Sequence, residues 1–138
     1  MNDNDKIRLA FEIVLAAISA GMPTVYQGRK PPNGFDNEQA HQLAFLLPAE
    51  NYSLGLSEKT TRHSGYFQVN ICYPSGTSGV TEAGERAGAL VSNFYAGREL
   101  VADGVKVRVR GKPSVAAPSN LSPYTVPVSI RYEAYIRS

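Results

Sequence analysis

The chain has 138 residues, 43% hydrophobic and 19% charged, a balance that excludes a disordered polymer and suffices for one domain with one core. Its single cysteine, Cys72, excludes an intrachain disulfide, and no run approaches the ~20 apolar residues of a membrane helix. A formal net charge of +2 is too small to indicate nucleic-acid binding, but the charge is polarised: residues 98–138 carry net +4 and residues 1–97 net −2.

The opening Met1-Asn-Asp-Asn-Asp5 is acidic, unlike a secretory leader, and a cytoplasmic location is expected. A first helix is predicted over about Asp5–Ala20, capped by Asp3 or Asn4. Ile7, Ala10, Phe11, Val14 and Ile18 share one face, which Leu9, Ile13 and Ala17 broaden. A surface this apolar calls for cover from a sheet and from a neighbouring subunit. Gly21 ends the helix and Pro23 prevents its restart. Thr24–Gln27 reads as a short strand, and Gly28–Ala40 as a long polar loop of the kind that marks function or disorder. His41–Leu47 reads as a strand closed by Pro48, with Tyr52–Leu56 an irregular continuation.

Lys59–Tyr73 reads as a long strand bent at Gly65, with Phe67, Val69, Ile71 and Tyr73 on one face. After the turn Pro74–Gly79, an amphipathic helix over Thr81–Tyr95 carries Ala83, Ala87, Leu90, Val91 and Phe94 as its apolar stripe. Gly97 stands at its C-terminal cap. Asp103-Gly104 is a type I′ hairpin turn between Leu100-Val101 and Val105–Arg110. In that hairpin Val105, Val107 and Val109 face inward, while Lys106, Arg108 and Arg110 face outward. Gly111–Tyr124 is a second long loop. A last strand, Thr125–Arg137, places Val126, Val128, Ile130, Tyr132, Ala134 and Ile136 on one face.

Catalytic groupings are missing from this pattern. His41, His63 and Cys72 do not form a close-spaced zinc pattern, and no Gly-x-Ser-x-Gly elbow occurs. His63-Ser64 reads as a cross-strand polar pair, and Cys72 as a small packed side chain. Gly76-Thr-Ser-Gly79 lacks the Gly-Lys-Ser/Thr ending of a phosphate loop, so it reads as a strand-to-helix turn. A basic strand face, Lys106, Arg108 and Arg110 beside Arg131 and Arg137, is the remaining constellation. It fits a protein interface better than a merely solvated face, and either better than nucleic acid, because no aromatic platform interleaves the charges.

Three patches together resemble a known family: Leu43-Ala-Phe-Leu-Leu-Pro-Ala49; Gly65-Tyr-Phe-Gln-Val-Asn-Ile-Cys-Tyr-Pro74 running into the second helix; and Gly104–Val115 with Tyr124–Tyr132. Their order resembles the tail terminator-like proteins of long-tailed bacteriophages and prophages, the lambda-type group. The resemblance implies a single α+β domain whose mixed, mainly antiparallel sheet is packed by two helices. It implies a ring of six copies that caps the head-proximal end of the tail tube, stops its growth and presents a surface for head joining.

The partners so implied are further copies of the chain, the tail tube protein and the head–tail connector protein. DNA is met only as it passes through the ring, and no membrane and no cofactor or metal is involved. The expected locations are the host bacterial cytoplasm during assembly and then the virion tail. Candidate subunit and tube contacts are Arg29, Lys30 and Phe35 in the first long loop, and Lys106, Arg108, Arg110 and Arg131 on the basic face. Alternatives are a head-completion or neck protein of the same virion, and a small ligand-binding or enzymatic domain with a pocket between the second helix and the sheet. The last would need convergent polar groups, of which the sequence offers no obvious set.

Overall fold

Two 14-residue strands, β4 (Thr60–Tyr73) and β8 (Tyr124–Arg137), pair antiparallel over their whole length, from Thr60 opposite Arg137 to Tyr73 opposite Tyr124. The computed structural model describes residues 2–19, 22–32, 34–35, 39–49, 52–54, 60–74, 79–118 and 124–137. Around the central pair an eight-stranded sheet runs in the order β1-β2-β4-β8-β6-β5. Its other strands are β1 (Thr24–Tyr26), β2 (His41–Pro48), β3 (Tyr52–Leu54), β5 (Glu99–Ala102), β6 (Val105–Val109) and β7 (Ser114–Val115). β1 pairs parallel with β2, and the other pairs are antiparallel. With helices α1 (Asp3–Ile18) and α2 (Gly79–Asn93), this is the expected single-domain α+β fold.

Alternation sends one set of strand residues toward the helices. Phe67, Val69, Ile71, Val107, Val128 and Ile130 are fully buried there, in one cluster with Ile7, Phe11 and Leu15 of α1, Ala83 and Leu90 of α2, and Phe94 just past its end. Phe11 is the hub: its ring stacks on Phe67 at 4.7 Å between centroids, and Phe94 and Tyr132 each lie 5.8 Å away. Burying an aromatic side chain of this size contributes about 2–3 kcal/mol. Tyr132 has no partner for its buried hydroxyl among the described residues, and burial pushes its pKa up to about 12.

Several elements differ from the sequence expectation for identifiable reasons. α1 starts two residues early, because Asn2, rather than Asp3 or Asn4, is the cap. Its side chain accepts from the Asp5 N–H while the Asp5 carboxylate accepts from the Asn2 N–H, a closed capping box. The helix ends at Ile18; Gly21 lies outside the described residues. The broad apolar surface of α1 is covered only in part: Ile13 is 52% exposed, Ala17 is exposed, and Leu9, Val14 and Ile18 are half-buried.

The segment beginning at Tyr52 is a separate strand, β3, paired to Thr60–Arg62. β7 forms inside the expected loop Gly111–Tyr124 by pairing with Ser129 and Val128. α2 is shifted two residues toward its N-terminus, although Phe94 still donates its N–H to the Leu90 carbonyl. Of the turn before it, residues 75–78 lie outside those described. The Asp103-Gly104 turn forms as expected, with φ of 48° and 79°.

His63 and Ser64 do not form a polar pair. His63 is buried on the helix side of β4 opposite Ala134, while Ser64 points the other way, opposite Glu133. Gly65 has φ of 153°, and a Cβ there would overlap the Leu47 carbonyl oxygen and lie 2.9 Å from Pro48 Cα. Only glycine lets β4 pass the end of β2 this closely.

Candidate functional site

Both helices pack on one face of the sheet, and the opposite, open face carries no helix among the described residues. Along the β2–β4 half it presents Leu43, Phe45, Leu47 and Tyr66; Leu47 and Tyr66 face each other in register and are each 45% exposed. Along the β8–β6–β5 half it presents charge. Lys106, Arg108, Arg110 and Arg131 are all exposed there, and the Arg110 N–H donates to the Arg131 carbonyl at 2.8 Å. The register that pairs Arg108 with Glu133 and Glu99 brings these residues together.

The basic half is built around a carboxylate. Glu133, buried in the middle, accepts from Arg62 Nε at 3.0 Å and has Arg110 Nη1 at 3.6 Å. Burial pushes its carboxyl up, but the Arg62 hydrogen bond, the Tyr135 hydroxyl and the Arg110 charge outweigh burial and hold it below the ordinary value. Arg108 Nη2 donates to Glu99 Oε1 at 3.1 Å. Arg108 and Arg110 therefore have acidic partners within the chain. Lys106, Arg131 and Arg137 have none among the described residues.

The three candidates of the first long loop lie elsewhere. Arg29 reaches α1, where Nη2 donates to Glu12 Oε1 at 3.2 Å, and its guanidinium lies 5.6 Å from the Tyr26 ring centroid. Burial pushes the Glu12 carboxyl up, offset in part by Arg29 and Arg8. Lys30 is exposed beside it. Phe35 folds onto the open face at the β1–β2 end, edge-on to His41 with centroids 5.2 Å apart. It borders a cavity of about 560 Å³ over Leu43, Asn70 and Cys72. Burial raises the Cys72 thiol, consistent with a packed side chain. The seven candidates thus fall into two groups: four on the charged half of the open face, and three at the β1 end.

Sequence reasoning missed a polar cluster on the helix side. Arg86 of α2 donates to Ile18 O at 2.7 Å, Ser19 Oγ at 2.6 Å and Gln42 Oε1 at 3.3 Å. The fully buried Gln42 amide donates to Ser19 Oγ and Thr24 Oγ1 at 2.7 and 2.9 Å. Burial lowers the Arg86 pKa. The available signal was an arginine at the margin of the α2 apolar stripe. A groove of about 720 Å³ does lie between α2, the 112–118 segment and β8. Its polar side chains are Ser92, Lys112 and Tyr124, with no catalytic grouping among them. Among the described residues no three His, Cys, Asp or Glu are grouped to hold a metal ion, and no helix is long and apolar enough to cross a membrane.

Comparison with known proteins fits this picture of a chain organised around surfaces. A solved structure 28% identical in sequence covers 100% of this chain and 99% of its own, with a TM-score of 0.78. No curated protein matches the sequence. The family model described as "Phage tail terminator protein" matches residues 6–132, which takes in α2, all of α1 but its first three residues, and all of the sheet but the end of β8. The chain belongs to the phage tail terminator family, a family of structural proteins of the virion tail.

Proposed function

We propose that this chain closes the tail tube of a long-tailed phage. Six copies form a ring on the head-proximal end of the tube, block addition of the next tube subunit and present a surface to the head–tail connector protein. Assembly takes place in the host cytoplasm, and DNA meets the protein only in transit through the ring. The observation that carries this reading is the family match over residues 6–132. The open, half-apolar and half-charged sheet face supports it, because a lone subunit leaves that face in water. The mechanism is steric: complementary surfaces and symmetry place a ring where a further layer of tube protein would add.

The test is electron microscopy of particles made without this protein, before and after adding it back. The expected result is tubes of unregulated length lacking heads, with length control and head joining restored by the purified protein. Tubes of normal length beside unjoined heads would instead assign a neck or head-completion role.

A further inference from the structure

The sheet parts between two of its strands. β6 pairs with β8 only through Val109 opposite Tyr132 and Arg108 opposite Glu133. Continued in register, Val107, Lys106 and Val105 would face Ala134, Tyr135 and Ile136, but the pairing stops short of them. A cleft of about 290 Å³ opens there, with Val107 and Lys106 on one wall and Ala134 and Tyr135 on the other. On its other side β8 stays paired to β4 as far as Arg137 opposite Thr60. Among the described residues, β8 therefore has one free edge from Ala134 onward.

Alternation decides which backbone groups that edge offers. The Arg110 N–H donates to the Arg131 carbonyl, and the Ala116 N–H to the Pro127 carbonyl. Odd-numbered residues of β8 thus turn their peptide groups toward β6 and β7, so those of Tyr135 and Arg137 point to the free edge. On β6 the Val109 N–H donates to the Arg98 carbonyl, on the β5 side, so Lys106 turns its peptide groups toward the cleft. An edge of this kind is a template for an added strand.

The side chains specify which strand. On the open face this half of the sheet carries six bases, Arg62, Lys106, Arg108, Arg110, Arg131 and Arg137, against two acids, Glu99 and Glu133. Both acids are engaged, Glu99 by Arg108 at 3.1 Å and Glu133 by Arg62 at 3.0 Å. Lys106 in the cleft and Arg137 at the end of the edge have no acidic partner among the described residues. On the helix side the neighbours are apolar: Val105, Val107 and Ala134 are buried and Ile136 is half-buried.

We propose that the cleft takes an extended segment of a partner protein, with acidic and apolar residues in alternation, as a strand added to the free edge of β8. Its acids meet Lys106 and Arg137, and its apolar side chains meet Val105 and Ile136. Two such edges from two copies of this chain would set base against base, which is unfavourable. The acidic edge strand of a second copy, β5, has its Glu99 already held by Arg108.

The test uses the full chain and a capped peptide of alternating glutamate and valine, followed by amide NMR and hydrogen exchange. The peptide should bind at millimolar concentration or below, shift the Lys106 amide and slow exchange at Tyr135 and Arg137. Replacing its glutamates by lysines, or N-methylating its amides, should each weaken binding at least about tenfold. The double variant Lys106→Glu with Arg137→Glu should melt within a few degrees of wild type and prefer the lysine peptide.

The proposal is overturned if the peptide does not bind, if its N-methylated form binds as well, or if the protected amides lie elsewhere. It is also overturned if the double variant keeps its affinity for the glutamate peptide. Loss of self-association in sedimentation velocity, with peptide binding unchanged, would assign the edge to a second copy instead. Loss of affinity for duplex DNA alone would assign the bases to phosphates. None of these outcomes bears on tube closure, which the microscopy of tails tests separately.

Discussion

Arg86 Nη1 lies 2.7 Å from the carbonyl oxygen of Ile18, so α2 supplies the cation that the last turn of α1 lacks. The C-terminal carbonyls of a helix carry partial negative charge and need donors. Here the donor arrives from 68 residues away and also holds Ser19 and Gln42. Arg86→Ala should destabilise the protein by about 2–4 kcal/mol, because it leaves buried acceptors unpaired. Arg86→Lys should recover only part of this, since one ammonium lacks the planar fork. Urea denaturation midpoints measure both. A loss below about 0.5 kcal/mol would show that the cluster is not holding the two helices together.

Glycine should matter in opposite senses at two positions. Gly65→Ala meets β2 backbone at once and carries an unfavourable φ, so a loss of about 2–4 kcal/mol is expected. Gly88→Ala has open space around it and should stabilise the isolated subunit by up to about 1 kcal/mol. Thermal melts of the two variants side by side would decide this, and equal effects would contradict it.

Two glutamates should respond oppositely to pH. The Glu12 carboxyl is raised above 4.5 by burial. Its favourable contribution is complete below the unfolded value and is lost as pH rises through the folded one. The Glu133 carboxyl is held below 4.5, despite burial, by its partners. Its contribution is present above the unfolded value and is lost as pH falls through the folded one. Going from about pH 3 to pH 7, Glu12→Gln should therefore gain stability relative to wild type, and Glu133→Gln should lose it. Denaturation curves across this range provide the check, and shifts of the same sign would contradict the assignment.

Charges on the open face should not be equivalent for folding. Arg110→Glu would place an acid against Glu133 and should cost about 1 kcal/mol, less at high salt because Arg110 is half exposed. Lys106→Glu disturbs no ion pair among the described residues and should stay within about 0.5 kcal/mol. Chemical denaturation at low and at high salt separates the two cases.

What the sequence made legible was periodic. The alternation of Val105, Val107 and Val109, the Asp103-Gly104 turn and the spacing of Ala83, Ala87 and Leu90 each declare a face locally, and the structure buries those residues. Glu133 shows the boundary of that reasoning. Alternation assigns it to the outer face, where it lies, but not its burial by Arg62, 71 residues earlier. Arg29 reads as a free loop cation until Glu12 is found beneath it. Phe35 was identifiable as a lone aromatic in a polar loop, yet its seat on His41 depends on how that loop crosses the sheet. Faces follow from short-range order; partners follow from tertiary closure.

The length of the β4–β8 ladder has a geometric consequence. Fourteen extended residues span about 46 Å, whereas a globule of this chain length has a radius of gyration near 14 Å, or about 37 Å across if spherical. The ladder must therefore overhang. β2 stops at Pro48 opposite Gly65, and the pairing of β6 with β8 ends at Arg108 opposite Glu133, although β6 itself begins at Val105. Past those points β4 and β8 run on to Thr60 and Arg137, where β3 is the one further strand paired to them among the described residues. The first part of this extension still belongs to the body, since His63 and Ala134 are buried and Ile136 packs on the core. The last residues of the ladder project beyond it, farther from the centre of mass than a compact subunit of equal size would reach.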